Sequence, residues 1–148
     1  IRELQNGGEF VVLLFLAAWG NDTLAYCTGM LIGKHKMSPI LSPKKSIEGL
    51  VGGIVGAAIL GALYGLYLNT YIRFSFNPVT MFPIVCGLGG AVSVIGDLAA
   101  SAIKRDSGIK DYGTLIPGHG GILDRFDSII FIAPVIYYLT VMISGGAI

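Results

Sequence analysis

Residues 49–72 read GLVGGIVGAAILGALYGLYLNTYI, with no charged side chain between Glu48 and Arg73. A helix of that length rises about 36 Å, enough to cross a hydrocarbon core of roughly 30 Å. Two further runs behave alike: 74–96, closed by Asp97, and 128–148, which follows Asp127. A fourth apolar segment, 10–32, is interrupted by Asn21-Asp22, and its second half, DTLAYCTGMLIG, is smaller and more polar. We read it as one helix with an inward-facing acidic residue. Of the 148 residues, 53% are hydrophobic and only 13% charged, about half the charge of a soluble domain. The expected fold is therefore all-α, a polytopic integral membrane bundle of about four helices, roughly 9–32, 48–70, 78–104 and 124–145, forming one domain.

A basic loop 33–47, a short turn 71–77 and a polar loop 105–123 connect these helices. Lys34, Lys36, Lys44 and Lys45 fall in the first; Lys104, Arg105, Lys110 and Arg125 lie in or beside the last. Only Arg2 and Arg73 lie at the other end. The positive-inside rule then makes the basic end cytoplasmic. A net charge of +1 gives no electrostatic footprint for nucleic acid. Cys27 and Cys86 sit in apolar runs without metal-ligand spacing and read as small buried hydrophobes, with no disulfide framework indicated. The glycines of the second helix, Gly52, Gly53, Gly56, Gly61 and Gly65, give small-xxx-small spacing at 52/56 and 61/65. That spacing suits either packing within the bundle or a homodimer contact.

Charge inside a membrane helix is costly and marks candidate functional positions. On a helix, Asp97, Ser101, Lys104 and Arg105 are i, i+4, i+7 and i+8, so they share one stripe with Asp97 deepest. Lys104 and Arg105 also suit a helix end whose long side chains snorkel to the interface. Asp124 and Asp127, at i and i+3, share a helix face with Ser128 close by. Negative charge there is favourable at a helix start. The preceding Gly118-His119-Gly120-Gly121 can aim backbone N–H groups at an anion. Carboxylates from two helices, Asp97 with Asp124 and Asp127, form a hard-oxygen donor set of the kind Mg²⁺ prefers. Arg105 and Arg125 suit forked contacts to phosphate, and Lys104 and Lys110 act as point charges. His119 is a proton carrier or a hydrogen-bond donor to phosphate. Such a mixture fits phosphoryl or nucleotidyl transfer, in which positioning and charge neutralisation supply most of the rate. From the residues alone, a transporter whose charges line a pathway remains the rival class.

The order of these residues also resembles a known signature. Ser101, Ile103-Lys104-Arg105, Lys110-Asp111, His119-Gly120-Gly121 and Asp124-Arg125-Phe126-Asp127 follow the C-terminal pattern of the phosphatidate cytidylyltransferase family. Ser42-Pro43-Lys44-Lys45-Ser46-Ile47-Glu48-Gly49 is similar to a second family segment, with Ser46 where Thr is usual, and Asp22 matches a recurring acidic position. The resemblance implies a Mg²⁺-dependent enzyme, with a second cation as an option. It would join CTP and the lipid phosphatidate into CDP-diacylglycerol and pyrophosphate. It further implies catalytic roles for Asp97, Lys104, Arg105, His119, Asp124 and Arg125, and metal binding by Asp97, Asp124 and Asp127. Substrate contacts would come from Asp22, Ser42, Lys44, Lys45, Ser101, Lys110, Asp111, Gly120 and Gly121, with Lys44 and Lys45 on CTP phosphates. The family is longer, with further spanning helices ahead, so this chain is expected to be its C-terminal half, in a bacterial inner membrane with the site facing the cytoplasm. A CTP-dependent lipid-alcohol kinase of the related polyprenol group is the alternative reaction. The clustered aspartates of CDP-alcohol phosphotransferases are absent.

Overall fold

In the computed structural model, residues 7–38, 42–74, 76–109 and 123–143 are described. The chain runs α1 (Gly7–Phe15), a π-helical turn (Leu16–Gly20), α2 (Asn21–Ile32), β1 (Lys36–Ser38), β2 (Ser42–Ser46), α3 (Ile47–Tyr71), α4 (Pro78–Asp106) and α5 (Leu123–Ile143). Among the described residues, three helical stretches are long and apolar enough to cross a membrane: Gly7–Ile32, Ile47–Tyr71 and Pro78–Asp106. The fourth expected span is α5, 21 residues long. Asp124, Arg125 and Asp127 fall in its first turns, and the sequence is uncharged from Ser128 onward. Cys86 is buried as expected, whereas Cys27 on α2 is exposed, and two local features depart from the expected helices and loops. The first segment is helical throughout, but its interruption is a π turn placed just before Asn21. The basic loop contains an antiparallel hairpin, with Lys36 opposite Ser46 and Ser38 opposite Ser42.

Helix ends follow their capping chemistry. The Ser46 side chain accepts a hydrogen bond from Gly49 N–H at 3.1 Å and starts α3. Asn77 accepts from Val79 N–H at 3.0 Å and starts α4, with Pro78 in its first turn. The α4 C-terminus closes as Gly108 N–H donates to Arg105 O (3.1 Å) and Ile109 N–H to Lys104 O (2.9 Å). Gly108 takes φ 69° there, the left-handed conformation that glycine tolerates best.

Every fourth residue of α3, namely Gly49, Gly53, Ala57, Gly61 and Gly65, is buried. Without large side chains the helix comes close to α2 and α4. A Cβ on Gly49 would stand 2.6 Å from Ala25 O, and one on Gly61 2.7 Å from Phe82 O. Gly52 and Gly56 likewise abut Thr28 and Leu24 of α2. Packing within the bundle therefore accounts for the small-residue spacing. The opposite face of α3, with Val51, Val55, Ile59, Leu63 and Leu66, is exposed and apolar, as a lipid-facing surface requires. Phe82, 1% exposed, anchors the end remote from the hairpin. Phe10, Tyr64, Phe74 and Phe76 all lie with ring centroids within 6.1 Å of its own, and Tyr64 Oη donates to the Glu9 carboxylate. This aromatic cluster fixes the α3–α4 turn and thereby the depth at which α4 holds Asp97.

Candidate active site

At the other end a cavity of about 300 Å³ opens between α2, the hairpin, the start of α3 and α4. Asn21, Asp22 and Tyr26 line it from α2, Lys45 and Met37 from the hairpin, Ser46 and Gly49 from the α3 start, and Val94 and Asp97 from α4. Asp97 is its electrostatic centre. Lys45 Nζ donates to Asp97 Oδ2 at 2.5 Å, and Ser128 Oγ, from α5, donates to Asp97 Oδ1 at 2.5 Å. The Asp97 side chain is only 15% exposed and that of Lys45 33%. A carboxylate so placed is held by an ammonium and a hydroxyl, which offset the cost of removing its charge from water.

Each element brings its residue for a traceable reason. The helical period puts Ser101 one turn and Lys104 two turns above Asp97, both half-buried, with Arg105 exposed at the helix end. The hairpin is tied at its base by His35 and Glu48. His35 N–H donates to both Glu48 carboxylate oxygens (3.2 and 3.3 Å), His35 Nδ1 lies 2.6 Å from Oε1, and Ile47 N–H donates to His35 O at 2.9 Å. Lys45 follows from that register, one residue before the Ser46 cap. Ser128, 4% exposed, brings the start of α5 against Asp97. Asp124 precedes Ser128 by one helical turn and Asp127 is its neighbour in sequence.

Of the expected site residues, the structure brings Asp22, Lys45 and Asp97 to one cavity. It sets Ser101, Lys104 and Arg105 above it on α4. Ser42 and Lys44 belong to β2, and Asp124, Arg125 and Asp127 to the first turns of α5, but their side chains lie outside the described part of the structure. Lys110, Asp111, His119, Gly120 and Gly121 lie outside the described residues altogether. Among the described residues no group of three or more His, Cys, Asp or Glu side chains is placed to share a metal ion.

Three contributors were not singled out by sequence reasoning: the His35–Glu48 tie, Ser128 as a direct partner of Asp97, and Asn21. Asn21 is fully buried, and neither atom of its amide has a hydrogen-bond partner among the described residues. Its sequence signal is an amide in an apolar segment, next to Asp22. It follows directly on the π turn, a helix irregularity frequent at functional sites.

The sequence profile of the cytidylyltransferase family matches residues 1–143. This chain belongs to that family. Among its relatives is a phosphatidate cytidylyltransferase of Staphylococcus saprophyticus, 39% identical over 139 residues, or 94% of this chain and 52% of the relative. The protein of the same name from Staphylococcus aureus is 40% identical over 137 residues, 93% of this chain and 51% of the relative. The chain thus spans about half the length of the curated relatives it matches. A solved structure, described as an intramembrane enzyme for archaeal membrane lipids biosynthesis, has a TM-score of 0.55 and 22% identity, and covers 93% of this chain and 87% of that one. At that identity the likeness concerns the fold alone: the helices of this chain are arranged similarly to those of the solved structure.

Proposed function

We propose that this chain carries the nucleotidyl-transfer site of a phosphatidate cytidylyltransferase. CTP and phosphatidate would give CDP-diacylglycerol and pyrophosphate. The observation that carries the reading is the convergence on Asp97 of Lys45 from the hairpin and Ser128 from α5, beside a cavity between membrane-spanning helices. In the reaction, a phosphatidate phosphate oxygen attacks the α-phosphorus of CTP. The new P–O bond forms as the bond to the bridging oxygen of the β-phosphate breaks, and pyrophosphate leaves with that electron pair. The nucleophile is already an oxyanion, so no strong base is required and His119 is not assigned that role.

Lys45, Lys104 and Arg105 face the basic end and would neutralise phosphate oxygens, with Lys44, Lys110 and Arg125 completing the set from neighbouring segments. The half-buried carboxylate of Asp97 supplies hard oxygen donors that suit Mg²⁺, with Asp124 and Asp127 as the further ligands from α5. Bound there, Mg²⁺ would neutralise phosphate oxygens and orient the leaving pyrophosphate. Asp22, across the same cavity, would face the nucleotide. Ser128 would hold Asp97 in its productive rotamer. The basic end, and with it the site, would face the cytoplasm of a bacterial inner membrane, where CTP is available and phosphatidate can enter between helices.

The test is to incubate the purified membrane protein in detergent with labelled CTP, phosphatidate and Mg²⁺, and to identify both lipid and water-soluble products. A CDP-lipid with pyrophosphate is expected. CDP with a phosphorylated lipid alcohol would make the site a CTP-dependent kinase, and solute flux without nucleotide turnover would make it a transport pathway.

A further inference from the structure

We infer that Lys45 and a divalent cation compete for the Asp97 carboxylate, so that metal binding releases Lys45 toward the nucleotide phosphates. The inference rests on the reading of Asp97 as a metal ligand and adds a moving part to it. Asp97 Oδ2 carries the Lys45 ammonium at 2.5 Å, and Oδ1 is engaged by Ser128 at the same distance. A Mg²⁺ ligand oxygen lies roughly 2.1 Å from the ion. An ion on Oδ2 and an ammonium still in its present place would therefore stand within about 5 Å of each other, two cations on a poorly solvated carboxylate. Ser128 is neutral and poses no such conflict, so Lys45 is the group that has to leave.

Lys45 is also the group able to leave. It lies on a strand only five residues long, in a two-stranded hairpin tied at its base by the exposed His35. Its side chain is a third exposed, whereas that of Asp97 is fixed on a long helix. A lysine stem of four methylenes can swing across the cavity without the strand moving. Before the ion arrives, the same ammonium balances the half-buried carboxylate. One side chain would thus stabilise the unloaded site and then serve as a phosphate ligand once Mg²⁺ and CTP enter.

The experiment reads lysine reactivity and ion uptake rather than turnover. The purified protein in detergent is pulse-labelled with an amine acetylating reagent across a Mg²⁺ titration, and each lysine is quantified by mass spectrometry. Lys45 labelling is expected to rise more than about threefold with Mg²⁺ while the exposed Lys36 stays constant. In parallel, free Mn²⁺ is measured by electron paramagnetic resonance. Lys45→Met is expected to bind Mn²⁺ at least tenfold more tightly than wild type, and Lys36→Met, which removes the same charge elsewhere on the hairpin, to bind within about twofold of it. If Mn²⁺ binds but Lys45 labelling does not change, the competition is wrong and the metal reading stands. If wild type takes up no Mn²⁺ at all, both fall together. Should Lys45→Met fail to fold, the labelling of wild type still decides.

Discussion

The α3–α4 contact can be tested with two glycine substitutions of opposite expected sign. A Cβ on Gly65 would lie 2.6 Å from Pro78 O, 2.9 Å from Pro78 C and 3.2 Å from Val79 Cα. All three are backbone atoms, which cannot rotate aside as a side chain would. Ordinary contact begins at 3.4 Å, so the helices must part locally by about 0.8 Å, a gap that forfeits a quarter to a half of each dispersion contact along the seam. Overpacking of this kind costs about 1–3 kcal/mol, and a backbone obstacle puts Gly65→Ala near the upper end. Gly87, also helical, is different: its nearest neighbour would be Ala58 Cβ at 3.6 Å, an ordinary contact. Both substitutions gain the same helix preference of Ala over Gly, about 1 kcal/mol. The difference between the variants therefore isolates the packing term, about 3 kcal/mol. At about 3 °C per kcal/mol for a chain of this size, Gly65→Ala should melt roughly 9 °C below Gly87→Ala. The assay is thermal unfolding by circular dichroism in one detergent. Pro78 and Asp97 lie about 28 Å apart along α4, so turnover per folded molecule at low temperature should be equal in the two. Melting points within about 3 °C of one another would show that α3 and α4 do not meet closely at Gly65.

Asp97→Asn should remove turnover while leaving a folded protein, and retention of more than about a tenth, a loss of only ~1.4 kcal/mol in the transition state, would defeat its assignment as a metal ligand. Arg125→Lys keeps the charge but loses the planar fork; kcat should fall substantially, whereas Lys44→Ala should act through a higher KM for CTP, and the reverse pattern would exchange the roles of the two segments. Cysteines placed at Lys36 and at Arg73, in a Cys27→Ser background, should label with an impermeant thiol reagent from opposite sides of the membrane, and labelling of both from one side would overturn the topology.

The spans were legible because a helix in lipid has little use for charge: Glu48 and Arg73 bracket α3 to within two residues, and Arg73 precedes α4, which carries Asp97 inside it and ends at Asp106. What was hidden is local. LAAWG, residues 16–20, contains nothing that distinguishes a π turn from an α turn, since the extra backbone residue is accommodated by what packs around it. The strands KMS and SPKKS have little intrinsic preference for extended structure and no Asn-Gly or Asp-Gly turn to announce a hairpin. They pair because Glu48, in the first turn of α3, reaches back to the His35 N–H and fixes both ends of the loop.

The site divides the same way. The stripe Asp97, Ser101, Lys104 is visible from helical spacing alone, whereas Lys45 meets Asp97 across 52 residues of sequence and Ser128 across 31. Lys44 and Lys45 are equivalent as letters; hairpin register makes Lys45 the partner of Asp97. The glycines carry a second meaning that spacing could not convey. A Cβ on Gly53 would stand 2.8 Å from Asn21 Oδ1, and one on Gly90 3.0 Å from the same oxygen. Two helices thus give up side chains where the Asn21 amide enters from a third, directly after the π turn and beside the cavity. A buried amide with no partner among the described residues costs about 1–3 kcal/mol if left so, and a residue selected only for packing would be Leu or Ala. The small residues of α3 and α4 therefore serve close packing and, at these two positions, also make room for a polar group against the site.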